Sequence, residues 1–381
     1  MINQIPDKIL NDVNLKEAMS VLPSNYNFEI PKTIWRVRLA REDREKKCID
    51  DEARKKLSPF RVGLQFPEGL LMYSCIIHDI LTRFTGAEVI ILGDVTYGAC
   101  CVDDFTADKL GAHFLIHYGH SCLVPVGDVR IGVLYVFVEI HFDVSHAVTC
   151  VKETLEANLR LAIMGTIQFG PAVNELAGHL KGHFHSVSIP QAKPLSMGET
   201  LGCTAPKLCE HDALVFIADG RFHLEAALIQ NPDVTAYRYD PYNKTITIEG
   251  YDTPKLKNVR WQAINAIKQA NKVGLILGTL GRQGSPHIFN NLREKLENSG
   301  RFVVPFLMAE LNPKKLEEID VDAWVQVSCP RLSIDWSDGF TKPILTPYEA
   351  EVALGHTEWK ETYPMDYYST DAGSWGNMSY R

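Results

Sequence analysis

Three stretches of the chain follow one order: an apolar strand-like run, a turn that contains glycine, and a helix-like segment. The strand-like runs are RVGLQF (61–66), LRLAIMG (159–165) and KVGLILG (272–278). Their starts are about 100 to 110 residues apart, which is a repeat of domain size. Strands that alternate with helices indicate a parallel sheet with crossover helices. The pattern predicts an α/β, Rossmann-like fold built from three similar small domains.

The first repeat illustrates the expected order of elements. Its pattern predicts a helix over 70–84 and further strands over 87–92, 113–117 and 133–140. The segment before it, residues 1–58, has no such strand pattern and is expected to be helical.

The length of 381 residues also favours several domains, because single hydrophobic cores rarely grow to that size. We expect an N-terminal helical extension and three α/β domains, the last with a C-terminal tail, over 1–58, 59–150, 151–265 and 266–381. The charge run over 36–57 is interpreted as a solvated helix face, with docking on a partner as the alternative.

Composition narrows the possible partners and the compartment. A formal net charge of −8 favours neither nucleic acid nor an anionic membrane surface. No apolar run reaches the roughly 18 residues of a membrane span, and the first residues lack the pattern of a signal peptide. We therefore expect a soluble cytoplasmic protein.

The nine cysteines are an odd number in a chain without a secretion signal, so a disulfide framework is not expected. One cysteine of each repeat lies in a turn beyond a strand: Cys100 in YGAC, Cys203 in LGCTAP and Cys329 in VSCPR. The third departs slightly, because Cys329 follows the third strand of its repeat. Binding groups of open parallel sheets gather beyond the carboxyl ends of strands. Three such sheets about a pseudo-threefold axis, in a triangular arrangement, would point these thiols at one centre.

Three thiolates suit either zinc or an iron–sulfur cluster. No CxxC or CxxxCxxC pattern is present, and ligands about 100 residues apart do not form a local zinc knuckle. Among metal sites, this spacing fits a cluster held between domains. By spacing alone, however, buried structural thiols are the favoured interpretation. The remaining cysteines are interpreted as ordinary thiols: Cys48, Cys75, Cys101, Cys122, Cys150 and Cys209.

At these turns the chain resembles the diphthamide-synthesis enzymes, the family of the 2-(3-amino-3-carboxypropyl)histidine synthases, and above all its eukaryotic members. The resemblance covers most of the chain, from residue 5 to 365. The segments that carry it include VGLQFPEGLLMYS (62–74), GDVTYGACCVDDFTA (93–107), GCTAP (202–206), ADGRFHLEA (218–226), GTLGRQGS (278–285) and SCPRLSIDW (328–336).

The resemblance implies three similar α/β domains that each give one cysteine to a [4Fe–4S] cluster. The implied ligands are Cys100, Cys203 and Cys329; Cys100 is preferred to Cys101 because family members share the Gly-Ala-Cys turn. The cluster would keep one iron open for S-adenosylmethionine, without the CxxxCxxC loop of ordinary radical enzymes. The implied reaction transfers the 3-amino-3-carboxypropyl group to C2 of a histidine imidazole in translation elongation factor 2 and releases methylthioadenosine.

The resemblance also implies partners. They are a paralogous second subunit that forms a heterodimer, elongation factor 2 as the protein substrate, and a small iron-binding electron donor reduced by an NADH-dependent enzyme.

Two turns are candidate binding sites for S-adenosylmethionine. Asp219, Gly220 and Arg221 follow a predicted strand, and Arg221 is suited to pair with a carboxylate. Gly281 and Arg282 precede a predicted helix, whose first amides can bind an anion. This second turn is not a Walker loop, because the Gly-Lys-Ser/Thr ending is missing. For both turns the alternative is an ordinary structural turn.

Polar residues near the first cysteine turn have simpler interpretations. Asp103 and Asp104 are expected to cap a helix that begins near Phe105. His117 and His120 are interpreted as polar turn residues, with a role beside the metal as the alternative.

Two other functions remain open. One is an enzyme of the quinolinate-synthase type, in which the open iron acts as a Lewis acid on a small acid. The other is a non-catalytic subunit whose metal centre supports the fold or relays electrons. Release of methylthioadenosine from S-adenosylmethionine separates the first from the main interpretation.

Overall fold

The computed structural model describes residues 5–47, 57–94 and 96–378. Their contacts divide the chain into two compact units, Met1–Phe142 and Asp143–Arg381. The first unit contains one four-stranded sheet, and the second contains a five-stranded and a four-stranded sheet. The domain boundaries expected from the sequence remain predictions.

The elements of the described residues alternate along most of the chain. The strands are β1 (Tyr26–Asn27), β2 (Arg61–Gln65), β3 (Glu88–Ile91), β4 (Phe114–Tyr118), β5 (Gly132–Val136), β6 (Glu139–Ile140), β7 (Arg160–Gly165), β8 (Ser186–Ser188), β9 (Ala213–Ile217), β10 (Thr235–Asp240), β11 (Thr245–Glu249), β12 (Lys272–Gly278), β13 (Phe302–Met308), β14 (Ala323–Val327) and β15 (Ile344–Leu345). The α-helices are α1 (Asp7–Leu10), α2 (Val13–Met19), α3 (Ile30–Lys46), α4 (Ser74–Thr85), α5 (Asp104–Lys109), α6 (Ser145–Thr154), α7 (Gly170–Leu180), α8 (Phe222–Gln230), α9 (Thr253–Lys268), α10 (Pro286–Asn298), α11 (Pro313–Glu317), α12 (Pro330–Asp335) and α13 (Pro347–Ala353).

The three larger sheets share one strand order. In each, the first strand lies between the second and the third, and the fourth follows the third: β3-β2-β4-β5, β8-β7-β9-β10 and β13-β12-β14-β15. All of these neighbours are parallel, and only β11 adds an antiparallel edge, next to β10. The prediction of an α/β fold with parallel sheets is confirmed.

The N-terminal helices belong to the core of the first unit. Ile30, Ile34 and Val37 of α3 are buried against residues such as Leu64 and Ile116 of the sheet. The predicted helical extension therefore supplies packing surface as well as a charged face. Its residues 48–56, including Cys48 and the end of the charge run, lie outside the described residues.

The single strand predicted over 133–140 is wrong. Val138 has a φ of 56°, in the left-handed region that β-branched residues rarely adopt. The chain turns there, so β5 pairs in parallel with β4 while β6 pairs antiparallel with β1. The helix predicted over 70–84 begins instead as a 3₁₀ turn, Glu68–Tyr73, before α4.

A glycine on the first strand of the last sheet permits a large aromatic to be buried. A Cβ atom at Gly274 would overlap the ring of Trp324 on the neighbouring strand β14. Trp324 is only 1% exposed and packs its ring edge-on against Phe306. The glycine therefore leaves the space that the indole ring fills.

Two negative findings concern the described part of the chain. No disulfide joins the eight cysteines found there. None of the helices found there combines the length and the apolar composition that crossing a bilayer requires.

Candidate metal centre

Cys203 and Cys329 lie close together in the second unit. Cys203 is buried, and Cys329 is half-buried at the carboxyl end of β14. Burial raises the pKa of the Cys203 thiol far above its usual range, and the neighbouring Cys329 raises it further. A thiol that resists ionisation for this reason becomes a good ligand once a metal supplies positive charge.

Arg331 joins the two cysteine turns. Its Nη1 donates to the carbonyl oxygens of Gly202 (3.2 Å) and Phe222 (2.8 Å), and its Nη2 donates to Glu225 Oε2 at 2.6 Å. Its Nε donates to both carboxylate oxygens of Asp335, at 2.8 and 2.9 Å. This arginine is part of the SCPRLSIDW segment, in which the sequence alone gives no sign of these partners.

Position 202 has no space for a side chain, because the ring of Phe222 lies there. A Cβ atom at Gly202 would overlap three carbons of that ring. The Arg331 guanidinium lies over the same ring, 4.3 Å from the ring centroid. The glycine, the phenyl ring and the arginine therefore form a stack beside Cys203.

His223 is held neutral beside this stack. Burial lowers its pKa to about 4, and the charge of Arg331 acts in the same direction. The positive charge beside Gly202 is thus that of Arg331 and not that of His223.

A buried glutamine supports the Cys329 turn. Gln326 on β14 donates through Nε2 to the Cys329 carbonyl and to Ser333 Oγ, each at 3.0 Å. Its side chain is fully buried. The turn is therefore fixed by the strand that leads into it.

The C-terminal segment supports the Cys203 turn. The amide of Tyr367 donates to the Cys203 carbonyl at 3.2 Å, and the amide of Ala205 donates to the Met365 carbonyl at 2.9 Å. The amide of Tyr368 donates to Thr204 Oγ1 at 2.9 Å. This part of the predicted tail is structural in the second unit.

In the first unit, the two adjacent cysteines lie in a 3₁₀ turn, Ala99–Cys101, and differ in burial. Cys101 is 1% exposed, whereas Cys100 is half-buried. Gln65 on β2 donates to the Cys101 carbonyl at 2.8 Å, so a glutamine again supports a cysteine turn.

The oxygen of Gln65 organises neighbouring polar groups. It accepts from the amide of Asp103 at 3.2 Å and lies 2.9 Å from His117 Nδ1. Burial, followed by the neighbouring His120, lowers the pKa of His117 well below 6.5. The neutral ring therefore donates from Nδ1, because the glutamine oxygen only accepts. His117 lies fully buried on β4, and the alternative role of His117 or His120 beside a metal stays untested.

Of the two predicted helix caps, Asp103 is confirmed and Asp104 is wrong. Asp103 caps α5 by accepting from the amide of Thr106 at 2.9 Å. Asp104 is instead the first helical residue, is fully buried, and accepts from the amide of Arg130 at 2.7 Å. Its carboxylate accepts the hydrogen bond of an amide in a different loop, so Asp104 does not cap the helix.

The first turn suggested for S-adenosylmethionine is engaged within the protein. Asp219, Gly220 and Arg221 are exposed after β9. Arg221 forms an ion pair with Glu249 at 3.0 Å and donates to the Gly250 carbonyl at 3.1 Å. Its part in ligand binding remains a prediction.

The second suggested turn adjoins the Cys329 turn. Gly281 has a φ of 54°, and Arg282 beside it is half-buried. Two residues after Gly281, Gln283 accepts a hydrogen bond from Ser328 Oγ at 3.0 Å. The structure thus brings this turn next to the residue that precedes Cys329, while its ligand remains a prediction.

The donor set of the second unit fits a thiolate-bound group. The buried Cys203 thiol lies near the half-buried Cys329 thiol, and the Arg331 guanidinium is fixed beside the Cys203 turn. Within residues 5–47, 57–94 and 96–378, no group of three or more His, Cys, Asp or Glu side chains is placed to hold a single metal ion. The full ligand set therefore remains a prediction.

Comparison with known proteins identifies the family. The family model described as "Putative diphthamide synthesis protein" matches residues 66–364. The chain belongs to this family. It is 53% identical to 2-(3-amino-3-carboxypropyl)histidine synthase subunit 1 of Mus musculus, over 98% of the chain and 83% of that protein. The protein of the same name from Dictyostelium discoideum is 48% identical, over 99% of the chain and 78% of that protein.

Solved structures agree with this assignment. Dph2 from Pyrococcus horikoshii superposes with a TM-score of 0.68 and 27% identity, over 85% of the chain and 91% of Dph2. A second structure of Dph2 "with 4Fe-4S cluster" gives 0.68 and 26% identity, over 86% of the chain and 92% of Dph2. The resemblance to this family and the prediction of a transferase are confirmed by these relatives.

Proposed function

We propose that the chain is an iron–sulfur subunit of a 2-(3-amino-3-carboxypropyl)histidine synthase. It transfers the 3-amino-3-carboxypropyl group of S-adenosylmethionine to C2 of a histidine imidazole in elongation factor 2 and releases methylthioadenosine. The observation that carries this proposal is the neighbouring pair of the buried Cys203 and the half-buried Cys329, in a chain about half identical to named subunits of that synthase.

Cys100, Cys203 and Cys329 are the proposed ligands of a [4Fe–4S] cluster, one from each of three α/β domains with the boundaries given above. The proposal includes their pseudo-threefold arrangement. When bound, a cluster with one iron free of protein ligands supplies an electron to S-adenosylmethionine. The protein's contribution is to hold the thiolates, to balance their charge and to keep water away from the reacting groups.

Particular residues carry out these tasks. Arg331 places a fixed positive charge beside the Cys203 turn. Gln326 fixes the Cys329 turn by donating a hydrogen bond to its carbonyl. Burial of Cys203 removes solvent from its thiolate.

The co-substrate is proposed to lie against the Asp219–Gly220–Arg221 turn and the Gly281–Arg282 turn. Support for the second comes from the hydrogen bond between Gln283 and Ser328, which attaches it to the Cys329 turn. Support for the first is the position of its residues beyond the carboxyl end of β9.

Partners follow from the same proposal. A paralogous second subunit forms a heterodimer with this chain, as the name "subunit 1" of the relatives suggests. Elongation factor 2 is the substrate, a small iron-binding protein with an NADH-dependent reductase supplies electrons, and the reaction takes place in the cytoplasm.

The test is anaerobic purification of the chain with its second subunit, followed by assays of iron, sulfide, methylthioadenosine release and modification of elongation factor 2. Cys203→Ser and Cys329→Ser should each abolish both activities, because a lost thiolate cannot be replaced by a hydroxyl. Cys209→Ser, at an exposed cysteine, is the matched control and should keep wild-type activity. Full activity in the first two variants would overturn the proposal.

A further inference from the structure

Arg331 is buried, and its side chain contacts residues from separate segments of the chain. Its guanidinium donates to backbone carbonyls at Gly202 and Phe222 and to carboxylates at Glu225 and Asp335. The Gly202 carbonyl lies 129 positions earlier in the chain. Arg331 itself follows the other cysteine turn by two residues, so one side chain ties the two turns together.

The shape of the guanidinium matters for this role. Its planar fork presents donors in three directions, and the Phe222 ring lies against its face at 4.3 Å. A lysine ammonium carries the same charge on one point and cannot reach all four acceptors. Substitution by lysine therefore keeps the positive charge but removes the forked set of hydrogen-bond donors.

We infer that Arg331 is a positioning residue that locks the Cys203 turn to the Cys329 turn and sets the electrostatic potential at the bound cluster. This inference rests on the function proposed above. The hydrogen bonds of the guanidinium hold the two cysteine turns at a fixed separation, as a shared cluster requires. The positive charge favours the reduced state, because reduction adds a negative charge close to it.

Arg331 has two carboxylate partners, so substitutions can either remove its positive charge or remove a negative charge beside it. The two kinds of substitution should shift the reduction potential in opposite directions. Glu225 Oε2 lies 2.6 Å from Arg331 Nη2 and offsets part of its charge. Glu225→Gln should therefore raise the reduction potential, whereas Arg331→Gln should lower it. A purely structural role for Arg331 predicts no such pair of opposite shifts.

The experiment uses the anaerobically reconstituted full chain with its second subunit, in wild type, Arg331→Gln, Arg331→Lys and Glu225→Gln. Iron and sulfide per chain, the midpoint potential and the rate of bleaching in air are measured. Arg331→Gln should retain several-fold less iron and have a lower potential. Arg331→Lys should restore the potential but not the retention.

Arg238→Gln is the matched control. Arg238 also contacts two carboxylates and one backbone carbonyl, at Glu249, Asp240 and Ala218, and it contacts neither cysteine turn. It should leave iron content and potential unchanged.

The outcomes separate this inference from the proposed function. Wild-type protein without iron and sulfide would overturn the proposed function, and the inference with it. Wild-type protein with a cluster, together with unchanged retention and potential in the Arg331 variants and in Glu225→Gln, would overturn only the inference. If Arg331→Gln does not fold, the upward shift in Glu225→Gln and the split effect of Arg331→Lys still decide it.

Discussion

Adjacent cysteines at 100 and 101 differ enough in environment to be assigned separate roles. Cys101 is 1% exposed and packs in the core, while Cys100 is half-buried. Cys101→Ala should keep the iron content of wild type and cost about 1 kcal/mol of stability, because a small buried side chain is lost. Cys100→Ala should lose most of the iron. Iron analysis of the two purified variants measures this, and the reverse pattern would assign the ligand to Cys101.

His117 predicts a pH dependence of stability in the first unit. Its pKa lies well below 6.5 when folded, because burial disfavours the charged ring. The unfolded chain takes up a proton near pH 6.5 and the folded one does not. The contribution of His117 is therefore full above that pH and declines below it, by about 1.4 kcal/mol per pH unit until the folded pKa is reached.

The variant that tests this is His117→Asn, whose side-chain amide can replace the Nδ1 donor to Gln65. Urea unfolding between pH 7 and 5 should show a flatter decline of stability than in wild type. His183→Asn changes an exposed histidine and should keep the wild-type slope. An equal slope in all three proteins would show that His117 is protonated equally in both states.

The turns that contain Cys100, Cys203 and Cys329 could be located from the sequence, because each follows a strand. That these three cysteines bind a cluster remains a prediction. The contacts of Arg331 could not be predicted, because its partner at Gly202 is 129 positions away and only the folded chain shows it. Gln65 and Gln326 were missed because a polar residue inside an apolar strand carries no sign of its partner.

At the level of elements, glutamines on two strands perform the same task. Gln65 on β2 and Gln326 on β14 each donate to a carbonyl in a cysteine turn. Gln326→Leu should lower the free energy of unfolding by about 1–3 kcal/mol, because the Cys329 carbonyl and the Ser333 hydroxyl lose a buried partner. Chemical denaturation of the second unit measures it. Gln262→Leu, on the exposed side of α9, should change stability by less than about 0.5 kcal/mol.

Element positions were predicted best where an apolar run was closed by glycine. The run at 272–278 coincides with β12, and that at 159–165 with β7 extended by one residue. The split of 133–140 was not predictable, because a left-handed φ at Val138 runs against the preference of a β-branched residue and coincides with the distant pairing of β6 with β1. The antiparallel edge strand β11 was missed as well, since short exposed strands resemble loops in sequence.

Across the whole molecule, one strand order explains why the cysteines need not follow equivalent strands. Cys100 and Cys203 come after the second strand of their sheets, and Cys329 comes after the third. Because the second and third strands both flank the first, a turn after either one lies at the same edge beside the first strand's end. The departure of the last repeat therefore moves its thiol to the other side of the first strand but keeps it at the carboxyl edge of its own sheet.

The C-terminal segment is the last part of the second unit to contribute to the site. Residues 363–378 bury Tyr363, Met365, Tyr367, Tyr368 and Trp375. Trp375 stacks edge-on against Tyr348 at 5.1 Å and donates to Asp366 at 2.8 Å. Asp366 in turn forms a bridge with Thr204, the neighbour of Cys203. A local defect at Trp375 should therefore be transmitted to the cysteine turn.

Trp375→Ala tests this connection. It should cost about 3–5 kcal/mol, because a buried ring and its hydrogen bond are lost, and it should reduce iron retention after reconstitution. Trp336→Ala removes an indole that is 60% exposed and should leave the free energy of unfolding within about 0.5 kcal/mol of wild type. Unfolding curves and iron analysis of both variants measure the effect. A Trp375→Ala protein that unfolds at the wild-type denaturant concentration would show that the segment does not support the Cys203 turn.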